Sequence, residues 1–122
     1  MEKHLEVMKQ SLALLETVID GLKHNQKLIN EGKHDESILL FENTVQAFST
    51  VERSFEGLPE NLLTSESKEI SIKVKNAIEL VVDAYESKAY GKVQEILQFT
   101  LIPTYNKWKS GLEDNFQRYL IS

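Results

Sequence analysis

The sequence predicts an all-α protein, an antiparallel up-down-up-down four-helix bundle that occupies residues 1–122 as a single domain. Only five glycines and two prolines punctuate the 122 residues, too few for the many turns of a β-sandwich. Apolar side chains recur at steps of three and four along four long stretches, which is the spacing of helices with one buried face. A chain of this length can also bury enough apolar surface to form a single hydrophobic core.

The first helix is expected to run from about Glu2 to Glu31, where Gly32 supplies the left-handed residue that commonly ends a helix. Gly21 lies inside the apolar pattern, and a local irregularity is expected there because glycine costs a helix about 1 kcal/mol relative to alanine. The stripe is broad enough for two helical neighbours. Its members are Leu5, Met8, Leu12, Leu15, Ile19, Leu22 and Ile29, with Gln26 as the polar member and Leu14, Val18 and Leu28 at its side.

The second helix is predicted to begin at Asp35, whose side chain can cap the first turn. It is expected to end at Gly57-Leu58-Pro59, because glycine accepts a positive φ and proline cannot extend a helix. Phenylalanine recurs every seven residues here, so these rings are the predicted centre of the core. The apolar face consists of Ile38, Phe41, Val45, Phe48, Val51 and Phe55.

The longest predicted loop runs from Leu58 to Ser67, and its apolar pair Leu62-Leu63 is expected to fold back onto the end of the bundle. Thr64, Ser65 and Ser67 are alternative N-caps for the third helix, which is expected to end near Ser87. The broad apolar face of this helix consists of Ile70, Val74, Ala77, Ile78, Val81, Val82, Ala84 and Tyr85.

The stretch from Ala89 to Leu120 is predicted to form the fourth helix, and it contains the single tryptophan of the chain. Pro103 removes a backbone donor and clashes with the preceding turn, so a kink is expected near residues 99–103. A break at Ser110-Gly111, followed by a separate short helix, is the alternative, but a continuous helix is favoured. The predicted core stripe consists of Val93, Ile96, Leu97, Thr100, Leu101, Thr104, Trp108, Leu112 and Phe116.

Three apolar residues of this helix lie off the predicted core stripe, namely Phe99, Ile102 and Tyr105. Neighbouring exposed aromatic and aliphatic side chains can receive an amphipathic helix or form a dimer face. The alternative is that a helix with two neighbours has a wide apolar face and buries all three. We predict that Phe99, Ile102 and Tyr105 bind a partner.

The two predicted corners resemble each other. Glu31-Gly32-Lys33 precedes the apolar face of the second helix, and Glu86-Ser87-Lys88 precedes that of the fourth. The corners are 55 residues apart, which predicts one bundle built from two similar hairpins.

With 19 acidic and 14 basic residues the net charge is −5, which disfavours nucleic acid as a partner. The absence of cysteine removes disulfides and thiolate metal sites and fits a reducing compartment. No stretch has the pattern of a signal peptide, and no run approaches the ~20 apolar residues of a membrane span. We therefore predict a cytoplasmic protein that does not span a membrane.

No catalytic, cofactor-binding or metal site is predicted. Glu31 and His34 formally match the Glu-x-x-His motif of di-iron bundles, but such a site needs two motifs inside helices and two further carboxylates. The chain contains no nucleophile elbow and no glycine-rich phosphate loop. We expect a protein that is not an enzyme; the alternative is a small metal- or ligand-dependent helical enzyme.

Two segments, EGKHDESILLFENTVQAF at 31–48 and KVQEILQFTLIPTYNKWKSGL at 92–112, carry a family resemblance. In helix order and apolar spacing the chain resembles the small flagellar export chaperones, most nearly the flagellin chaperone, although Pro103 and the polar loop depart from that pattern. The resemblance implies a bundle that holds a disordered segment of a secreted protein in apolar grooves. We expect a non-catalytic, chaperone-like or adaptor protein whose partner is another polypeptide or a second copy in a homodimer.

Overall fold

The structure, a computed structural model, describes residues 2–59 and 62–120, without the side chains of Glu2 and Lys3. These residues fold into four helices without a strand, which confirms the predicted all-α bundle. A short π-helical turn divides the fourth helix into two α-helical parts. The elements are α1 (Glu2–Asn30), α2 (His34–Phe55), α3 (Ser65–Glu86), α4 (Tyr90–Ile96), the π turn (Leu97–Leu101) and α5 (Ile102–Leu120).

The four helices form two hairpins around one apolar core. α1 packs along α2, while α3 packs along α4 and α5; α1 also lies against α5. The phenylalanine rings of α2 lie in this core, as predicted: Phe48 and Phe55 lie 5.1 and 6.2 Å from the Trp108 ring, measured between centroids. The core therefore joins both hairpins through aromatic contacts between α2 and α5.

Each hairpin turns at the same type of corner. Gly32 (φ 76°) and Lys88 (φ 57°) take the left-handed conformation at the ends of α1 and α3, and each following residue donates its N–H to a carbonyl five residues back. This is the Schellman arrangement. The next helices begin at His34 and Tyr90, whose rings stack at 3.7 Å. The corners are therefore 56 residues apart, one more than the sequence spacing suggested.

Two of the predicted caps are wrong. α2 begins one residue before Asp35, with Lys33 at the N-cap position and no side-chain cap, so Asp35 lies in the first turn. Gly57 does not have a positive φ. The C-cap of α2 is instead Glu56, whose backbone is in the right-handed conformation and whose N–H donates to the Arg53 carbonyl. Thr64 does cap α3 as one of the three predicted candidates, accepting from the Ser67 N–H at 3.0 Å.

The apolar loop residue Leu62 is buried, as predicted, and closes the end of the bundle beneath the loop. The predicted irregularity at Gly21 is absent, since α1 continues through it. A Cβ at this position would lie 2.6 Å from the Thr44 hydroxyl oxygen. A larger residue at position 21 would therefore displace the Thr44 side chain, because α1 and α2 approach closely here.

A π turn lies where the kink was predicted, directly before Pro103. In a π turn the Ile102 N–H bonds to Leu97 five residues back, so the turn holds one residue more than an α-helical turn. The wider turn also accommodates Pro103, which lacks an N–H and clashes with the carbonyl four residues before it in a regular α-helix. The helix then continues to Leu120 without the break considered at Ser110-Gly111.

The extra residue changes which side chains face the core. The regular pattern places Thr100 in the core and Tyr105 outside it, whereas Thr100 is exposed and Tyr105 is 1% exposed. Because the π turn advances the chain by one residue, the core stripe passes from Leu97 to Leu101 and then to Tyr105. From there it returns to the predicted Trp108, Leu112 and Phe116.

The two hairpins share one pattern of burial. Each of the seven buried residues of α3 has its equivalent in α1 at a distance of 56 residues, and five of these seven equivalents are themselves buried. In the other pair of helices the offset is 56 before the π turn and 57 after it. The equivalent pairs of α2 and the fourth helix are Ser37 and Val93, Phe41 and Leu97, Thr44 and Leu101, Phe48 and Tyr105, Val51 and Trp108, and Phe55 and Leu112.

Candidate functional site: the cleft between α2 and α3

The internal repeat makes two lines of helix contact equivalent, the α1–α5 seam and the α2–α3 seam. The α1–α5 seam is closed. The Tyr105 hydroxyl donates to the Leu15 carbonyl at 2.8 Å, and Lys109 Nζ lies 2.6 Å from a Glu16 carboxylate oxygen. Burial, together with the charges of Glu16 and Glu113, raises the pKa of the Tyr105 hydroxyl. This seam therefore holds a neutral, buried hydrogen bond beside an ion pair.

The α2–α3 seam is open and forms a cleft of about 640 Å³, within the usual size range of ligand sites, about 300 to 1,000 Å³. Its floor is apolar and aromatic, because Phe55, Trp108 and Leu112 line it from the core. Its walls are mostly polar. The described lining consists of Ser49, Glu52, Arg53, Phe55, Glu56, Leu63, Ser67, Lys68, Ser71, Ile72, Lys75, Trp108 and Leu112.

Three positions explain why one seam is closed and the other is open. α1 carries Leu12, Leu15 and Ile19, of which the last two are buried and the first packs against the core. The equivalent positions of α3 are Lys68, Ser71 and Lys75, all of which line the cleft. Side chains with charges and hydroxyls keep their polar ends in water. α3 therefore does not pack against α2 as closely as α1 packs against α5.

One carboxylate spans the cleft. Glu52 on α2 lies 2.8 Å from Lys75 Nζ and accepts a hydrogen bond from the Ser71 hydroxyl at 2.9 Å, both on α3. Glu52 is the equivalent of Lys109, so this position has an ion pair with the opposite charge in each seam, whereas the partners Lys75 and Glu16 are not equivalent to each other. The open seam is therefore bridged by side chains at this point.

The remaining rim charges form no ion pair with the described residues. Arg53 in the last turn of α2 and Lys68 in the first turn of α3 line the cleft, together with Glu56. None of the three forms an ion pair with another residue in 2–59 or 62–120. The described rim thus carries two free cations and one free carboxylate, beside the Glu52–Lys75 pair.

The three predicted partner-binding residues do not form one surface. Phe99 is 69% exposed on the π turn. Ile102 is half-buried and packs against the core, and Tyr105 lies in the core, bonded to α1. The prediction of an exposed stripe is therefore corrected for Tyr105, because the π turn rotates it inward. Of the three, Phe99 is the exposed one.

Other exposed apolar side chains lie on α2 and α3. Ile72 is 56% exposed on the cleft wall, whereas Leu80 is 51% exposed and lies outside the lining. Ile72 thus extends the apolar floor to the rim. The two leucine-sized side chains offer a matched pair on one helix, one inside the cleft and one outside it.

A buried polar cluster lies at the corner end of the bundle. Asn25 Nδ2 donates to the Tyr85 hydroxyl at 2.9 Å, and the Ser37 hydroxyl donates to Asn25 Oδ1 at 3.2 Å and also contacts the Tyr85 hydroxyl. Burial raises the pKa of Tyr85, against the effect of these hydrogen bonds. The polar atoms satisfy one another, so the cluster fixes the register of α1, α2 and α3.

The described residues contain neither a metal-binding cluster nor a membrane-spanning helix. Across residues 2–59 and 62–120, no three histidine, aspartate or glutamate side chains lie close enough together to hold a metal ion. No helix in this described part is long and apolar enough to cross a membrane.

Residues 6–111 match the family model described as "Domain of unknown function (DUF8042)". The chain belongs to the DUF8042 family. The matched range contains both walls of the cleft and Trp108 of its floor. Comparison of this DUF8042 domain with curated proteins and with solved structures gave no match.

The cleft of the DUF8042 domain was missed at the level of sequence. Lys68, Ser71 and Lys75 read as an ordinary solvent-exposed helix face, and nothing in the periodicity of α3 alone separates a cleft wall from such a face. The signal lies in the internal repeat. An alignment of the two halves at 56 residues places these three polar residues opposite Leu12, Leu15 and Ile19.

Proposed function

We propose that this DUF8042 domain is a non-catalytic, cytoplasmic module that binds an amphipathic helical segment of another polypeptide in the α2–α3 cleft. The observation that carries the proposal is the cleft itself, whose floor is formed by the buried side chains of Phe55, Trp108 and Leu112 and whose polar α3 wall also presents the exposed Ile72. A buried apolar centre with a polar rim is the usual anatomy of a recognition site, and aromatic anchors contribute most of its energy.

The closed seam supplies a template for the ligand. On α1, Leu12, Leu15 and Ile19 recur at i, i+3 and i+7, which places them on one helical face. The α2–α3 seam lacks these side chains, since α3 has polar residues at the equivalent positions. A partner helix with aliphatic residues at the same spacing supplies the missing groups, in the mode of helix-in-groove recognition.

The proposal retains the expected class of function and moves the site. The expected surface was a stripe of Phe99, Ile102 and Tyr105 on the last helix, and burial of Tyr105 removes its centre. The last helix still contributes to the cleft, through Trp108 and Leu112. The resemblance to export chaperones, which hold their cargo in apolar grooves, agrees with a polypeptide as the ligand.

The test uses Trp108 as a reporter, because it is the single tryptophan of the chain and lines the cleft. The probe is a peptide of about 18 residues, long enough to form a helix on binding. It contains no tryptophan, carries Leu, Leu and Ile at the spacing of Leu12, Leu15 and Ile19, and has uncharged polar residues beside them. We expect a saturable change in Trp108 emission. Ile72→Asp, which places a charge on the cleft wall, should weaken binding about tenfold or more.

The matched control is Leu80→Asp, an equally exposed change on the same helix outside the cleft, which should bind as the wild type does. Equal affinities of these two variants, or no saturable change in the wild type, would overturn the proposal. A loss of binding in Phe99→Asp alone would move the site to the π turn. A homodimer that Ile72→Asp dissociates would show a second copy in the cleft instead of a different polypeptide.

A further inference from the structure

We infer that the helical segment bound in the cleft is acidic, with carboxylates beside its apolar face that pair with Lys68 and Arg53. This inference rests on the proposed function and specifies the partner. It depends on the charges of the rim, which the apolar floor does not determine.

The rim charges are not equivalent to one another. Glu52 is already engaged by Lys75 and Ser71, so it neither attracts a ligand cation strongly nor leaves Lys75 free. Glu56 is the one rim carboxylate without an ion pair in the described residues, against the two unpaired cations Arg53 and Lys68. The free charge facing a ligand is therefore positive.

The position of these cations fits a ligand that lies along the cleft. Arg53 stands on the α2 wall and Lys68 on the α3 wall, so the cations flank the apolar floor from both sides. A helix that places its apolar face on the floor presents its flanking residues to both walls, and carboxylates there pair with the two cations. Complementary rim charges of this kind determine which partner is accepted more than how tightly it binds.

The cleft differs in charge from the rest of the molecule. Its described lining contains three cations and two carboxylates, whereas the whole chain has a net charge of −5. An acidic ligand is therefore repelled by most of the surface and accepted at the cleft. This contrast favours one docking position for an acidic segment over non-specific attachment elsewhere.

The experiment compares three peptides with the same apolar residues and different flanking residues, which are glutamate, glutamine or lysine. Binding is followed by Trp108 emission at low and at high salt. We expect the acidic peptide to bind the wild type about tenfold more tightly than the lysine peptide, because each exposed pair contributes roughly 0.2 to 1 kcal/mol and each like-charge contact opposes binding. High salt should reduce the ratio.

A charge-reversed variant supplies the decisive comparison. Arg53→Glu/Lys68→Glu should reverse the order of the acidic and lysine peptides and leave the glutamine peptide almost unchanged. The control Lys23→Glu/Lys73→Glu makes the same change of net charge at exposed positions outside the cleft. It should preserve the wild-type order.

The outcomes separate the inference from the proposed function. If all three peptides bind the wild type equally, or the lysine peptide binds best, the acidic ligand is wrong while binding in the cleft stands. If the control reverses the order as the cleft variant does, net charge and not the rim determines preference, and the inference also fails. If no peptide binds, the proposed function itself fails.

Discussion

The α1–α5 seam and the α2–α3 seam occupy equivalent places in a bundle made of two similar hairpins, and only one of them is closed. The core residues behind both seams are buried to a similar degree: Phe48 corresponds to Tyr105, Val51 to Trp108 and Phe55 to Leu112. The two seams differ outside the core, where α3 has Lys68, Ser71 and Lys75 at the positions of three apolar residues of α1. The packed core and the proposed recognition site thus depend on different positions of the same repeat.

The comparison also explains how the chain tolerates an open seam. The buried polar cluster and the corner stack hold the hairpins together at one end. Contacts of Phe55 with the Phe116 ring at 5.6 Å, together with the buried Leu62, close the other. The cleft therefore opens in a region whose neighbours on both sides are fixed, which favours a preformed binding site.

The largest expected effect comes from the residue that both seams share. Trp108 is 2% exposed and contacts the Phe48, Phe55 and Tyr105 rings. Trp108→Ala should lower the free energy of unfolding by about 3 to 5 kcal/mol, because it leaves a large cavity in the core. Urea denaturation followed by circular dichroism measures the loss. A variant as stable as the wild type would show that Trp108 is not part of the shared core.

Copying the closed seam onto the open one should have the next largest effect. The variant Lys68→Leu/Ser71→Leu/Lys75→Ile gives α3 the residues of α1, and burial of the added apolar groups should raise the free energy of unfolding by about 2 kcal/mol. The same variant should no longer bind the helical peptide. Denaturant titration and Trp108 emission measure both changes.

The control for this variant is Lys73→Leu/Asn76→Leu, which adds leucines to exposed positions of α3 outside the cleft. It should give no gain in stability and should keep the binding. A triple variant that is destabilised, or that still binds the peptide, would show that these three positions do not keep the seam open.

Tyr105→Phe tests the closed seam by removing the buried hydroxyl. The substitution gives position 105 the residue type of Phe48, its equivalent in α2. Loss of the hydrogen bond to the Leu15 carbonyl should cost about 1 kcal/mol at neutral pH. Burial raises the pKa of Tyr105 above 10 in the folded chain, whereas the unfolded chain releases this proton at about pH 10.

The pH dependence of the free energy of unfolding follows from this shift. The contribution of Tyr105 is fully present below about pH 10 and is lost as pH rises above it, by about 1.4 kcal/mol per pH unit. Tyr105→Phe should remove this part of the slope, while Tyr85, whose pKa is also raised by burial, keeps its own part. Denaturation at pH 9, 10 and 11 gives the slopes. Identical slopes in both proteins would contradict the buried hydroxyl.

The smallest expected effect concerns the ion pairs of exchanged sign. Hydrogen bonding to Glu16, opposed by partial burial and aided by Glu113, raises the pKa of Lys109. Lys109→Gln should cost less than about 1 kcal/mol, because more than half of the Glu16 side chain is exposed. Glu52→Gln in the open seam should cost still less, since Lys75 is about half exposed. High salt should reduce both losses; a larger loss for Glu52→Gln would reverse the ranking of the seams.

The helical layout could be predicted from the sequence because each helix repeats its apolar residues at steps of three and four, and because Gly32 and Thr64 have clear local roles. The prediction of which side chains face the core was wrong where the fourth helix is irregular. A pattern search assumes a constant turn, so it placed Thr100 inside and Tyr105 outside, and the π turn between them reverses both. The same shift explains why Phe99, Ile102 and Tyr105 do not form one exposed stripe.

The cleft could not be predicted from helix patterns, for a different reason. Whether Lys68, Ser71 and Lys75 face bulk water or one wall of a cleft depends on how far α2 lies from α3, which is a property of the packed bundle. The equivalent residues of α1 are the only trace of it in the sequence. These α1 residues can be compared with the α3 residues only once the two halves are known to be equivalent at an offset of 56 residues.

The π turn has a consequence for how relatives of this chain are aligned. α2 reaches from Phe41 to Thr44 in the space where the fourth helix reaches from Leu97 to Leu101, so one residue has been accommodated inside a helix. Sequences that lack this residue need a gap within 98–100, in the middle of a helix where gaps are usually forbidden. A gap moved into a neighbouring loop would shift every later position by one and assign Trp108 the wrong counterpart.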